Sequence, residues 1–573
     1  MVAFDGRWLE GEPLVYLDKT TGKEIVMSPI SGSFFLHLRR HDEGEAVFRL
    51  LAKSETVQPD RWIPQDGLIR FQLRKGVERH RAWIKELESM RTDHRVSGVL
   101  PLFRDKEGFE RAIVPRELVV LLHKPATENL EKAFMRLGLS VSRKLEGERL
   151  LIVESPLGAD YREIIQALSA FEGVQVVEPS YYGIDDAEMA PRFAYEESSG
   201  HTGASVPWNL ALVKADQAWR RVQGDRNVVI AVVDGSPQEN HPALMGKIIS
   251  EQHPSNVFTQ ELLLSSHGTA VSGLIAGSID SDSRVIPLGM APGSRVLPVV
   301  ISLTNQRYAE RASALLWLAD LAAARPFFEH IVVNCSWKTA GDVAVIRAAL
   351  KSLLDTGALI VTSAGNENTA APHYPSDYAN IWPGLLSVAA VGPTDRRAPY
   401  SSYSPYVTLC APGGYGPPLD QDDLYVPDLG SSFTYDAGTS LAAPHVAAAA
   451  ALVWSVAPEL SSAEVRSILE RSADPVDNLN PDTAGMLGAG RLNVGCAVEM
   501  AAEGIAPVEP APEPIEPIWE PEPIEPKEPE FTLNWEGVLL TEARKVSGFT
   551  EAGNDGALHA ELAGPRGKVV LDF

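Results

Sequence analysis

The chain has 573 residues, 45% of them hydrophobic, and a formal net charge of −25. It is too long for one ordinary domain and apolar enough for several cores. The negative charge argues against nucleic acid or an anionic membrane as a partner, since both demand basic patches.

Residues 1–114 read as an α+β region. GLIRFQLRKG (67–76) and RVSGVLPLFRD (95–105) predict strands, and Val77 to Met90 predicts a helix between them. The next segment repeats that outline. RELVVLLH (116–123), ERLLIVES (148–155) and VQVVEPSYY (174–182) predict strands, interleaved with helices in ENLEKAFMRLGL (128–139) and YREIIQALSAF (161–171). This βαββαβ-like order, with one strand weakly marked, predicts a ferredoxin-like α+β domain over 115–182. Region 1–114 then reads either as a degenerate second copy or as a separate docking domain. Residues 183–205, rich in Asp, Glu, Ser and Gly, read as an exposed connector open to cleavage.

From residue 206 to 505 short apolar runs alternate with helix-period stretches, which predicts a mainly parallel sheet covered on both faces. The strands are NVVIAVVD (227–234), RVLPVVIS (295–302), HIVVNCSW (330–337), ALIVTSAGN (358–366), LLSVAAVG (385–392) and VTLCAPG (407–413). Helices are expected over Tyr308 to Ala324 and Val343 to Leu354. In such sheets sites form at the carboxyl ends of the strands, where Asp234, Ser336 and Asn366 fall.

Four residues there carry chemistry. Ser440, in GTSLAAPHVAAAAALVW (438–454), stands where a helix begins, the place for a hydroxyl nucleophile whose oxyanion meets backbone N–H groups. Pro444 is expected in the first helical turn, where its missing N–H costs nothing, and the alanine run after it reads as a helix buried on all sides. His267, in SSHGTAVSGLIAG (265–277), is a candidate base. It heads a helix whose Gly268, Ala270, Gly273 and Ala276 permit close packing. Asp234 ends a buried strand, where its carboxylate needs a partner such as an imidazole N–H. Asn366 can donate to an oxyanion. Alone each has a plainer role: a capping serine, a histidine at a helix start, an asparagine in a turn. Their convergence on one sheet edge favours chemistry.

VVIAVVDGSPQENHPAL, SHGTAVSGLIAG, VTSAGNEN and GTSLAAPHVA, in that order, resemble the motifs of the subtilisin-like serine proteases across roughly residues 205–503. The resemblance implies a seven-stranded, mainly parallel sheet and endopeptidase activity through an acyl-enzyme. Ser440 would be the nucleophile, His267 the general base and acid, and Asp234 its orienting carboxylate. Asn366 and the Ser440 N–H would form the oxyanion hole. By the same resemblance Ser336, Trp337 and Lys338 would pair with the substrate backbone, and Ser363, Ala364 and Gly365 would line the other wall of the primary pocket. Two motifs depart from the family: Gly235 and Ser236 follow Asp234 in place of Ser/Thr-Gly, and Trp337 and Lys338 follow Ser336 in place of x-Gly. Lys338 either favours acidic side chains in the substrate or points to solvent.

Residues 115–182 resemble the family's inhibitory pro-domain, whose VEPSYY strand leads into a tail that fills the cleft. The chain is thus expected to be a zymogen that cleaves itself within 183–205, with its own pro-domain as a partner beside protein or peptide substrates. The chemistry requires no cofactor; a structural calcium is possible at Asp420, Asp422, Asp423 and Asp428, against a solvated loop as the plainer reading. Two alternatives are a pseudoprotease acting as a peptide-binding scaffold, and a narrow processing protease released by a regulatory partner protein.

No stretch is apolar for long enough to read as a membrane span, and the first residues lack the pattern of a secretory signal. Three cysteines, Cys335, Cys410 and Cys496, are too few and odd in number for a disulfide framework. A cytoplasmic location is expected, with non-classical export as the alternative. The Pro/Glu repeat of residues 506–530 predicts an extended, self-repelling linker, and residues 531–573 predict a small C-terminal β module or tail.

Overall fold

The computed structural model describes residues 12–39, 43–63, 68–74, 90, 93–156, 158–184, 206–249, 264–281, 284–303, 305–325, 327–416 and 422–504, with strand segments between 536 and 572. The chain divides into two units, Met1–Glu513 and Pro514–Phe573.

Among the described residues nine strands precede the parallel sheet: β1 (Leu14–Leu17), β2 (Glu24–Leu38), β3 (Val57–Ile63), β4 (Leu68–Leu73), β5 (Val96–Arg104), β6 (Glu110–Leu122), β7 (Ser140–Leu145), β8 (Leu150–Glu154) and β9 (Val174–Ile184). With β14 (Asn305–Arg307) they make one antiparallel sheet in the order β14-β9-β6-β5-β2-β4-β3, with β1 on β2 and β8 joining β7 to β6. The weakly marked strand of the ferredoxin-like segment is β7. Two helices cover that segment. Glu128–Arg136 is capped by Thr127 and buries Leu130, Ala133 and Phe134, the i, i+3, i+4 spacing of one helical face. Tyr161–Ser169, capped by Asp160, buries Tyr161, Ile164, Ile165 and Leu168 in the same way.

The expected boundary between residues 114 and 115 falls inside β6. β6 runs straight through it, and Pro115 sits in a bulge where the register against β9 shifts between Ile113 and Leu118. Arg116 there has φ +66°. Pro115 has no N–H to donate to the ladder, which a bulge tolerates, so the strand kinks there and continues. Strands β4 and β5 stand where the sequence predicts them, while β1, β2, β3 and the helix Gly44–Ala52 add to it. The helix expected over Val77–Met90 lies outside the described residues except for Met90, which is helical.

The second sheet is wholly parallel: β10 (Val228–Asp234), β13 (Arg295–Val300), β15 (His330–Cys335), β16 (Leu359–Ser363), β17 (Leu385–Val391) and β18 (Leu409–Pro412), in the order β13-β10-β15-β16-β17-β18. It has six strands among the described residues where the family resemblance implies seven; beyond β13 only an isolated parallel bridge joins Ile248 to Val296. Alternation along β10 shows why these runs are apolar throughout. Val229, Ala231 and Val233 pack into a core with helices Tyr308–Ala324 and Ala344–Leu354. Val228, Ile230 and Val232 pack into another with helices Ser266–Ala276 and Thr439–Val456. A sheet buried on both faces requires this.

Thr439–Val456 is the one described helix long and apolar enough to cross a membrane, and 89% of it is buried inside the protein. Cys335 and Cys410 are buried, with burial pushing both thiols up, while Cys496 is exposed; none is in a disulfide. In the C-terminal unit Glu536–Leu539 pairs with Arg544–Ser547, and Phe549–Ala552, Leu558–Gly564 and Gly567–Asp572 form a three-stranded antiparallel sheet. The Pro/Glu repeat lies outside the described residues.

Candidate active site

Asp234 is the last residue of β10 and 1% exposed. Its carboxylate accepts Gly235 N–H at 2.7 Å and faces the His267 imidazole, with Nδ1 2.9 Å from Oδ1 and 2.8 Å from Oδ2. That contact fixes the imidazole tautomer: Nδ1 carries the proton, and Nε2 is left as the basic nitrogen. Small residues allow the approach. A Cβ on Gly268 would lie 2.0 Å from the Gly235 carbonyl oxygen, and one on Gly273 would lie 2.3 Å from the Pro427 ring. Ser265 caps this helix through Gly268 N–H, so the helix starts against the turn that follows Asp234.

Ser440 is the second residue of helix Thr439–Val456 and fully buried. Its hydroxyl has no hydrogen-bond partner among the described residues; the Ser440–His267 link is therefore open in this conformation. Pro444 occupies the second helical turn, not the first, and cannot donate to the Ser440 carbonyl. Ser336 Oγ fills that role at 2.8 Å and itself accepts Asn334 Nδ2 at 2.9 Å. The histidine on this helix is structural. His445 has Nδ1 2.8 Å from the Leu441 carbonyl and Nε2 2.8 Å from Asn209 Nδ2, and burial lowers its pKa to about 4.

Asn366 follows β16, and its amide orientation is determined by its neighbours. Oδ1 accepts Thr439 N–H at 3.0 Å and Thr439 Oγ1–H at 2.8 Å. The oxygen is thereby identified, and Nδ2 is left buried with no acceptor. An orphaned buried N–H₂ is costly unless a ligand oxygen completes it. Thr439 Oγ1 also accepts Gly365 N–H at 3.2 Å, linking the two loops. Sequence reasoning missed Thr439, Asn334 and the Pro444–Ser336 compensation; only the missing N–H of Pro444 hinted at the last.

Around the expected primary pocket, Ser336, Ser363, Ala364 and Gly365 are buried at the carboxyl ends of β15 and β16. The Trp337 ring is fully buried in the core with the Arg311 guanidinium 4.8 Å from its centre, so its side chain is taken up by packing. Lys338 is ion-paired with Glu367, and Glu367 lies 3.8 Å from His373 Nε2. Gly365 has φ +103°, and a Cβ there would come within 2.6 Å of both Glu367 Oε2 and His373 Cδ2. Burial would raise the Glu367 pKa, but His373 and Lys338 outweigh it and hold the carboxyl below its ordinary value.

The acidic loop does not form a calcium cradle among the described residues, which hold no cluster of three or more metal-ligating side chains. Asp423 Oδ1 accepts Gly416 N–H at 2.8 Å, and Asp428 Oδ1 accepts Leu429 N–H at 2.7 Å and the Ser266 hydroxyl. Asp420 lies outside the described residues.

The sequence profile of the subtilase family matches residues 225–490. A thermophilic serine proteinase of Bacillus sp. (strain AK1) is 28% identical over 58% of this chain and 74% of its own length. Subtilisin BL of Lederbergia lenta is 30% identical over 50% of this chain and 97% of its own. Fervidolysin of Fervidobacterium pennivorans is 30% identical, and this chain spans 48% of its length. The crystal structure of fervidolysin superimposes with a TM-score of 0.52 at 24% identity, covering 70% of this chain and 62% of that one, a likeness of fold. The Asp234–His267 contact, the Asn366 amide and the parallel sheet that carries them are thus features of a chain that belongs to the subtilase family of serine proteases.

Proposed function

We propose that this protein is a serine endopeptidase kept latent by its N-terminal region. The observation that carries the reading is the pairing of a tautomer-fixed His267 with a buried, acceptor-less Asn366 Nδ2 beside the start of the Ser440 helix. Ser440 attacks the scissile carbonyl, and His267 Nε2 takes its proton and returns it to the leaving amine. Asp234 stabilises the imidazolium, and Asn366 Nδ2 with the Ser440 N–H receives the oxyanion. A nucleophile–base bond that is open in the absence of substrate often closes when substrate binds.

Latency is supported by the addition of β9 to β14, with Arg307 opposite Tyr182 and Gln306 opposite Gly183. Glu178 reinforces it by accepting the Ala344 and Val345 N–H groups at 3.2 and 2.8 Å, capping the helix that follows β15. Residues 185–205, the expected connector and cleavage segment, lie outside the described residues.

The test is to follow the full chain over time, sequence any new N-termini, and label it with a fluorophosphonate. Peptide hydrolysis, labelling at residue 440 and processing are expected, all abolished by Ser440→Ala. Equal turnover by the Ser440→Ala chain would refute the mechanism. An unlabelled, unprocessed wild type would favour a peptide-binding scaffold.

A further inference from the structure

The turn between β1 and β2 enters a polar site on the protease region that the catalytic residues do not use. Asp18 Oδ1 accepts Thr20 N–H at 2.9 Å and Thr20 Oγ1–H at 2.7 Å, and Oδ2 accepts Thr21 Oγ1–H at 2.8 Å. These bonds close the turn and leave Oδ2 facing outward to the Arg347 guanidinium, whose Nη2 also lies 2.5 Å from Thr20 Oγ1. Arg347 projects from helix Ala344–Leu354. Its Nη1 pairs with Asp342, whose Oδ1 takes the Tyr378 hydroxyl at 2.6 Å. The Asp18 and Arg347 side chains are 5% and 9% exposed, so both charges are withdrawn from water.

A second contact lies beside the first. The β5–β6 hairpin places Phe109 and Arg111 over Gly341, where a Cβ would come within 2.6 Å of Arg111 Nη2 and 2.9 Å of the Phe109 ring. The Phe109 ring centre is 6.0 Å from that of Tyr374. Both contacts come from residues upstream of the ferredoxin-like segment. Lys19 ties the turn to that segment, donating to the carbonyls of Phe171 at 2.8 Å and Val174 at 2.6 Å.

We infer that Gly341, Asp342, Arg347, Tyr374 and Tyr378 form a docking surface for an acidic turn, and that its occupant is the chain's own Asp18–Thr20 turn together with Phe109 and Arg111. This second foothold retains the N-terminal region independently of the cleft, and its regulatory meaning rests on the latency proposed above. The chemistry is that of a desolvated ion pair, whose loss is felt chiefly in the rate of release.

The test uses the full Ser440→Ala chain, which does not need to turn over. Asp18→Asn preserves the acceptor at Oδ1 that shapes the turn and sets an N–H₂ against the guanidinium; Thr20→Val removes the second acceptor. Hydrogen exchange is read at Ala344 and Val345, whose N–H groups are held by Glu178, and along β14, which pairs with β9. Exchange at these amides should rise by about tenfold in Asp18→Asn, and by less in Thr20→Val, with β10, β15 and β16 unchanged. Unaltered exchange in both variants, or an equal rise in the core strands, would overturn the docking surface. With Ser440 restored, Asp18→Asn should shorten the lag before peptidase activity. A chain inactive under all conditions but showing the exchange response would sink the proposed activity and leave the docking surface standing.

Discussion

The Ser336 hydroxyl donates a 2.8 Å hydrogen bond to the carbonyl of Ser440, the acceptor that Pro444 has no N–H to serve. Ser336 thus serves, from 104 residues earlier in the chain, the Ser440 carbonyl that the helix leaves open. Ser336→Ala leaves that buried carbonyl unpaired, which should lower stability by about 1–3 kcal/mol. Because the carbonyl belongs to the residue proposed as nucleophile, kcat should fall more than KM rises. Denaturant midpoints and steady-state kinetics on a peptide substrate check both; an unchanged kcat would show that the bond serves stability alone.

In the proposed mechanism Asn366 Nδ2 is aimed at the oxyanion because Thr439 holds Oδ1. Asn366→Ala should reduce kcat by roughly 10²–10³, the size expected for one oxyanion donor. Thr439→Val removes one of two bonds to Oδ1 and should cost less, while Thr439→Ser retains the hydroxyl and should restore the rate. A Thr439→Ser chain as slow as Thr439→Val would assign the effect to packing of the methyl group.

What the sequence made legible follows from locality. Asp234, His267, Asn366 and Ser440 each sit at the junction of a strand or helix with a glycine turn, and such junctions are marked by adjacent residues. The boundaries of Tyr308–Ala324 came from helical periodicity alone. Ser336 was different. Its position near the substrate edge could be inferred, but its bond to Ser440 depends on where the chain returns 104 residues later. The continuity of β6 across residues 114 and 115 likewise depends on pairing with β9, a strand that comes much later in the chain. The partner of Lys338 also lay beyond reach, since Glu367 comes from the next strand's loop.

Lys338 and Glu367 neutralise each other beside Gly365, with His373 3.8 Å from the carboxylate. In this structure Lys338 neither stands alone in solvent nor offers an unpaired charge to a substrate. Lys338→Ala should expose the Glu367 carboxylate and shift cleavage toward basic side chains, whereas Glu367→Gln should shift it toward acidic ones. Both groups are partly exposed, so each shift should be modest, about tenfold or less in relative kcat/KM. Cleavage of a peptide library by the wild type and both variants decides it; identical profiles would remove the pair from specificity.

Glu178 gives the docked N-terminal region a pH dependence. Burial, assisted by the Asp18 carboxylate, raises its pKa to about 7 against the Val345 N–H and the guanidinium groups of Arg111 and Arg347. Tyr16 and Tyr181 also face this cluster and are joined through their hydroxyls at 2.7 Å. A carboxyl raised above its ordinary value of 4.5 binds more protons docked than released. Its contribution is therefore complete below about pH 4.5 and is lost as the pH climbs through about 7. The change approaches about 3 kcal/mol at most, from 1.36 kcal/mol per pKa unit. Protection of the Ala344 and Val345 amides in the Ser440→Ala chain, corrected for intrinsic exchange, should fall between pH 5 and 8, and Glu178→Gln should flatten that fall. An equally steep profile in Glu178→Gln would assign the titration to another group in the cluster.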